Sequence, residues 1–317
     1  MVMRVLALCG FTQNAHIYSK QLGAIRKTCK EVEFVFCEPP VVVKKADMPW
    51  AQSTASFGSD ATTDEDAQTP ETTPRAWFLS RDRSSLLGMF SPLPYSSLSD
   101  FSEIPETMAY MHDFLVRHGP FDGAMGFSQG GCMAALLAAL LEKPNLDPSW
   151  PSEPRIPPFK FIICVGGFFP NTTNPNFYPW FPLPAHLSTL HVIGKNDVIV
   201  TEERSRGLIA QCENARVEYH EGGHFTPSKA SWRHFFNAYI MSFVPGGDQG
   251  DVPPPSSFGP GGKSGISTPI LPSMSEMLKT SRIIKIISSH PVSSYLPCDS
   301  RDSSRVEFFW RAIIVAS

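Results

Sequence analysis

Short apolar runs alternate with amphipathic stretches over the first 243 residues, and polar turns separate them. Residues 4–9 have the length and apolar continuity of a strand covered on both faces. Gly10-Phe-Thr-Gln13 turns the chain, and Asn14 is placed to cap a helix reaching about Lys30. That helix would carry its apolar stripe on Ile17, Leu22, Ile25 and Cys29. Residues 32–37 predict a second strand, stopped by Glu38-Pro39-Pro40. Pro105 suits the first position of a helix over 106–118 that turns Met108, Tyr110, Met111, Phe114 and Leu115 inward. An apolar strand then runs into Gly126, and residues 132–141 follow as a buried helix of Ala and Leu. Further strands are predicted at 159–165, 190–193 and 215–219, with a helix from Thr201 to about Cys212. An amphipathic helix over 228–243, carrying Trp232, Phe235, Phe236 and Tyr239, closes the series. This alternation predicts an α/β fold whose mostly parallel central sheet has helices on both faces.

Four stretches leave the pattern. Residues 51–75 are rich in Ser, Thr, Asp and Glu, and are expected to form a flexible acidic insertion in a domain spanning 1–244. Leu86, Leu87, Met89, Phe90, Leu93 and Tyr95 form an apolar patch without period, either core filler or the wall of an acyl-binding cleft. The Pro-rich segments 144–158 and 168–187 read as loops, the second expected to border that cleft. Residues 245–317 begin Pro/Gly/Ser-rich, never regain the alternation, and are expected to be a largely disordered tail.

Composition narrows the function. A formal charge of −3 and a pI near 6.3 leave no basic footprint for nucleic acid. No run of 18 apolar residues occurs, so no membrane span is expected. The apolar N-terminus is broken too soon, at Thr12, for a signal peptide. The seven cysteines show no paired metal spacing and read as reduced core residues of an intracellular, cytoplasmic protein. Neither a metal nor an organic cofactor is implied.

The candidate chemistry centres on Gly126-Phe-Ser-Gln-Gly130, a G-x-S-x-G motif between a strand and a helix. That context makes Ser128 a candidate nucleophile at the tip of a sharp turn. A serine hydroxyl needs a base, and the base needs an orienting acid. In this fold type the order is nucleophile, acid, histidine, the last two in loops after late strands. Asp197 and His224 occupy such loops. Among the other histidines, His191 lies inside a strand and His220 at a strand end, while His16, His112, His118 and His234 fall on helices. Glu203, Glu218 and Glu221 are the rival acids, and Cys132 is expected to be buried in the helix after Ser128. Two backbone N–H groups should stabilise an oxyanion: that of Gln129, and that of Phe11 in the loop after the first strand.

Cys9-Gly-Phe-Thr-Gln13, Glu38-Pro39-Pro40, Gly119-Pro-Phe-Asp-Gly123, Gly126-Phe-Ser-Gln-Gly130, Gly166-Gly-Phe168 and Gly222-Gly-His224 together resemble the FSH-type serine hydrolases, a family of α/β-hydrolases. The resemblance covers about residues 3–243 and implies a Ser-Asp-His carboxylesterase or thioesterase with a small ester or thioester substrate. Some fungal members release polyketides from carrier domains. Two departures stand out: Cys9-Gly10 replaces the His-Gly of many relatives, and the insertion and tail have no counterpart. A second reading is therefore a biosynthetic acyl hydrolase or acyltransferase with an acyl-carrier domain as partner, docked on Arg75, Arg81 and Arg83. A third is a ligand-binding protein that keeps the fold without turnover.

Overall fold

The structure, a computed structural model, describes residues 2–48, 54–57, 59–79, 104–144, 150–169, 180–247 and 251–259. The predicted apolar runs become strands β1 (Met3–Leu8), β2 (Val32–Cys37), β5 (Gly123–Phe127), β6 (Phe161–Val165), β7 (Ser188–Gly194) and β8 (Ala215–His220). They form one sheet in the order β2-β1-β5-β6-β7-β8, every neighbouring pair parallel. β5 and β6 are buried at each position, as their unbroken apolar sequences require of strands covered on both faces.

The helices are α1 (Ala15–Gln21), α2 (Gly23–Thr28), α3 (Ile104–His118), α4 (Gln129–Glu142), α5 (Glu202–Ile209) and α6 (Ala230–Met241). α4 is buried from Gln129 through Leu141, so it sits in the core rather than on it. It lies across β1, β5 and β6, while α2 packs on α6. The strand order reverses direction at β1: the chain first moves outward to β2, then returns to place β5 on the other side. Right-handed crossovers in opposite directions put their helices on opposite faces, opening a crevice beyond the carboxyl ends of β1 and β5. Topology alone therefore selects the loops after these two strands as the place for a site.

Some elements differ from expectation. The helix predicted over 14–30 is two helices, broken at Leu22 (φ −79°, ψ 2°), because Gly23 follows where a strong helix former would have continued the turn. A small antiparallel pair, β3 (Val41–Val42) with β4 (Arg75–Ala76), closes the base of the acidic insertion. The described part of that insertion is docked rather than free. Asn14 caps α1 by accepting from the Ile17 N–H at 2.8 Å, and its amide nitrogen donates to the carbonyls of Glu71 (2.9 Å) and Thr73 (3.0 Å). Ser59 donates to the Thr12 carbonyl at 2.8 Å, and Phe57 meets Phe11 edge-on at 5.2 Å. A segment poor in apolar residues is thus ordered through its backbone carbonyls, which composition does not register.

The turn Pro255–Phe258, beyond the boundary expected at 244, packs on α6 with Phe258 6.3 Å from Phe235. The apolar patch at 86–95, Arg81, Arg83 and residues 260–317 lie outside the described residues. Among the described residues, no helix is long and apolar enough to cross a membrane.

His191, 1% exposed within β7, has its Nε2 3.1 Å from the Thr189 hydroxyl, and burial lowers its pKa to about 3. The fold therefore holds it neutral. Its contribution is complete above the unfolded value of about 6.5 and is lost as pH falls from there toward 3. At pH 4.5 the loss should be about 2–3 kcal/mol relative to pH 7. His191→Gln, which keeps a polar partner for Thr189 without titrating, should lose correspondingly less stability across that interval in urea melts. Equal losses in the two proteins would show that His191 does not govern the acid limb. Glu218, whose pKa burial raises, acts in the opposite sense but equally in both proteins.

Candidate active site

Ser128 sits between β5 and α4 with φ 53° and ψ −118°, a backbone conformation that costs a side-chain-bearing residue about 1–3 kcal/mol. Three hydrogen bonds hold it there. Its N–H donates to the Val165 carbonyl at 2.8 Å, and its own carbonyl accepts from Gly131 (2.9 Å) and Cys132 (3.2 Å). The motif glycines are required by contact: a Cβ on Gly126 would lie 2.0 Å from the Gly130 carbonyl oxygen, and one on Gly130 would lie 2.1 Å from that of Leu8. The serine is thereby lifted off the sheet at the start of α4, where the helix dipole is positive.

Thr12 is the other non-glycine residue with positive φ among those described, at 65°. Both strained residues belong to the loops selected by the reversal of strand order. The two loops are also close in space, since a Cβ on Gly10 would stand 3.3 Å from Cβ of Ser128. Within this first loop, the Gly10 N–H donates to Oε1 of Gln13 at 3.0 Å, and the Gln13 N–H donates to the Gly10 carbonyl at 3.1 Å. Gly10 is therefore committed to the turn, and Phe11 is the next N–H along the loop.

The acid and the histidine come from the loops after β7 and β8, which are stitched together. Asn196 donates its N–H to the Gly222 carbonyl (3.0 Å) and its side-chain amide to that of Glu221 (2.7 Å). Asp197 divides its two oxygens. Oδ1 accepts from the N–H groups of Ile199 (2.9 Å) and Val200 (2.8 Å), and Oδ2 lies 2.7 Å from Nδ1 of His224. The pair is sheltered, with side chains 2% and 7% exposed for Asp197 and His224. The His224 ring rests on Phe127, the residue before Ser128, at 4.7 Å between centroids. Gly166 (φ +55°) leaves space beneath the pair: a Cβ there would fall 3.3 Å from the imidazole and 3.4 Å from Oδ2.

The rival residues lie elsewhere. Glu221 pairs with Lys195 at 2.6 Å on the surface, and Glu218 with Arg216 at 2.6 Å. Glu203 is exposed in the first turn of α5. His220 packs against Phe225 and Trp232 and accepts from the Gly222 N–H; burial lowers its pKa. Cys132 is fully buried in α4, and burial raises its thiol pKa far above the range of a reactive thiolate.

The side chain of Gln129 has a role that the motif does not announce. Its Oε1 accepts from the Trp77 N–H and its Nε2 donates to the Phe78 carbonyl, both at 2.8 Å. The Trp77 indole donates to the Cys9 carbonyl at 2.8 Å, and Thr107 of α3 donates to the Trp77 carbonyl at 2.6 Å. These partners are more than 50 residues apart from Gln129 and from Cys9, so no local sequence signal could have joined them.

Six parallel strands, a strained serine at a strand–helix turn beside the strand-order reversal, and a His–Asp pair on the later loops define an α/β-hydrolase. The family described as "Serine hydrolase (FSH1)" matches residues 1–236, and the chain belongs to it. The chain is 33% identical over 244 residues to Esterase OVCA2 of Mus musculus, covering 76% of this chain and 97% of the mouse protein. It is 32% identical to Esterase OVCA2 of Homo sapiens, with the same two coverages. A Schizosaccharomyces pombe protein named Dihydrofolate reductase is 28% identical over 247 residues, 47% of its own length. Among solved structures, acyl-protein thioesterase 2 of Zea mays superposes with a TM-score of 0.47 at 16% identity, over 76% of this chain and 94% of that one. Family membership makes the chain an enzyme, a hydrolase, rather than a ligand-binding protein that merely keeps the fold.

Proposed function

We propose that this hydrolase cleaves carboxylic esters or thioesters through an acyl-enzyme on Ser128. His224 takes the Ser128 proton as the hydroxyl oxygen attacks the acyl carbon, and the imidazolium then protonates the departing alkoxide or thiolate. Water repeats the sequence: His224 removes its proton, the hydroxide attacks the acyl-serine, and Ser128 leaves with the proton returned to it. Asp197 keeps Nδ1 protonated, so that Nε2 is the accepting nitrogen. The N–H groups of Gln129 and Phe11 stabilise the oxyanion in both halves. No metal or organic cofactor enters any step.

The observation that carries this reading is the sheltered 2.7 Å contact between His224 and Asp197, with the His224 ring resting on Phe127, the neighbour of a serine held at positive φ. The esterase names of the mouse and human relatives agree with it. Of the three arginines that could dock an acidic carrier domain, Arg75 is paired with Glu38 at 2.7 Å, which weakens that partner reading.

The test is a chain-length series of p-nitrophenyl esters and acyl thioesters on the full chain, with Ser128→Ala as control. Turnover of one series that vanishes in the control supports the reading and names the leaving group. A wild type inert toward both, or a control that matches it, would overturn the reading.

A further inference from the structure

Resting on the proposed acyl transfer, we infer that the Gln129 side chain is a positioning residue that joins the two loops supplying the oxyanion donors, through the segment Trp77-Phe78. The backbone N–H of Gln129 is one proposed donor, and the orientation of that peptide depends on how the first turn of α4 is held. The first N–H groups of a helix have no partner within it, and the peptide that carries the Gln129 N–H is held by the helix only through its other end, the Ser128 carbonyl bonded to Gly131 and Cys132. The side chain of the same residue adds a second anchor: Oε1 accepts from the Trp77 N–H and Nε2 donates to the Phe78 carbonyl. Two opposed bonds of 2.8 Å fix both its position and its roll, which one bond could not.

The same segment reaches the second loop. The Trp77 indole N–H donates to the carbonyl of Cys9, which immediately precedes Gly10 and Phe11. That bond orients the peptide from which the loop turns, while Gln13 takes the Gly10 N–H and leaves Phe11 as the next donor. Trp77-Phe78 is itself anchored, with Trp77 fully buried and its carbonyl bonded to Thr107 of α3. Hydrogen bonds link Gln129 to Trp77 and Trp77 to Cys9, and the backbone carries on through Gly10 to Phe11. Gln129 and Trp77 thus set the separation of two N–H groups that the family fold brings from distant parts of the sequence.

Groups held this way act on the transition state, where charge develops on the oxygen, and only weakly on substrate binding. Gln129→Met keeps length and helix propensity but loses both bonds. Trp77→Phe keeps most of the ring volume and loses only the indole donor to Cys9. With a p-nitrophenyl ester that the wild type turns over, each variant should lose kcat by about 10- to 100-fold with KM within about twofold, as expected when donors shift by a fraction of an ångström. A trifluoromethyl ketone analogue of the same ester, whose hemiketal oxyanion occupies the donors, should lose affinity in proportion to kcat. Gln129→Asn, with the same groups on a shorter arm, should not recover activity.

A KM that rises while kcat holds would make the segment a wall of the substrate pocket and overturn the inference. So would unchanged kcat in variants that remain folded, or weaker turnover with unaltered ketone affinity. If a variant does not fold, the other still decides, since the two substitutions remove different bonds of the same chain. Ser128→Ala in the same assay separates the two levels: activity surviving there defeats the proposed function, whereas failure in the Gln129 and Trp77 variants alone defeats only the positioning role.

Discussion

Ser128→Ala is expected to lower kcat for ester hydrolysis by roughly 10^4- to 10^6-fold and to abolish labelling by a fluorophosphonate probe. The melting temperature should change little, because the hydroxyl makes no capping hydrogen bond to α4; backbone atoms hold Ser128 in its turn. His224→Ala should be nearly as damaging, since without a base the hydroxyl stays protonated and attacks poorly. The decisive quantity is the double variant. If the two residues act as one unit, Ser128→Ala/His224→Ala is scarcely slower than either single change, whereas independent contributions would multiply. Labelling that persists in Ser128→Ala would move the nucleophile elsewhere. Cys132 is a poor successor, buried inside α4 with its thiol held protonated by burial.

How much of this could be read from the chain differs by kind of interaction. The strands were legible because β5 and β6 are unbroken apolar runs buried at every position, and β1 is interrupted only by Arg4. The turn at Ser128 was legible because its glycines answer a local demand, the close approach of β1, β5 and α4 backbones. Asp197 and His224 could be placed in loops past β7 and β8 by chain order, but their 2.7 Å contact depends on the stitching of those loops through Asn196. Nothing local encodes that stitching.

Three features were not legible, two of them because a polar group acts at long range. The acidic insertion looked free by composition, yet Asn14 and Ser59 hold it through backbone carbonyls and Thr12. The single helix expected up to Lys30 breaks at Leu22-Gly23, a contest between an apolar stripe and the low helix propensity of glycine that periodicity cannot adjudicate. Gln129 was read only for its backbone N–H, because its side-chain partners Trp77 and Phe78 lie more than 50 residues away along the chain.

Asp197 gives the sharpest separation of chemistry from architecture, because its two oxygens do different work. Oδ1 gathers the N–H groups of Ile199 and Val200 and so shapes the loop; Oδ2 faces Nδ1 of His224. Asp197→Asn can keep Oδ1 as acceptor for the loop while presenting an NH2 to the imidazole. Two donors cannot share that contact, so the imidazole must take the other tautomer, with its proton on Nε2 and no basic nitrogen toward Ser128. The expected result is a kcat lower by about 10^2- to 10^4-fold with a melting temperature close to wild type. Asp197→Ala removes both functions and leaves the part-buried Ile199 and the buried Val200 N–H groups without their carboxylate, the buried one at about 1–3 kcal/mol if no water replaces it. It should therefore lose activity to a similar degree and stability as well, by several degrees in a thermal melt. NMR of the imidazole nitrogens would report the tautomer directly: Nδ1–H in the wild type, Nε2–H in Asp197→Asn. A variant Asn enzyme with near-native kcat and unchanged Nδ1–H would mean that Asp197 serves the loop alone, and that another group orients His224.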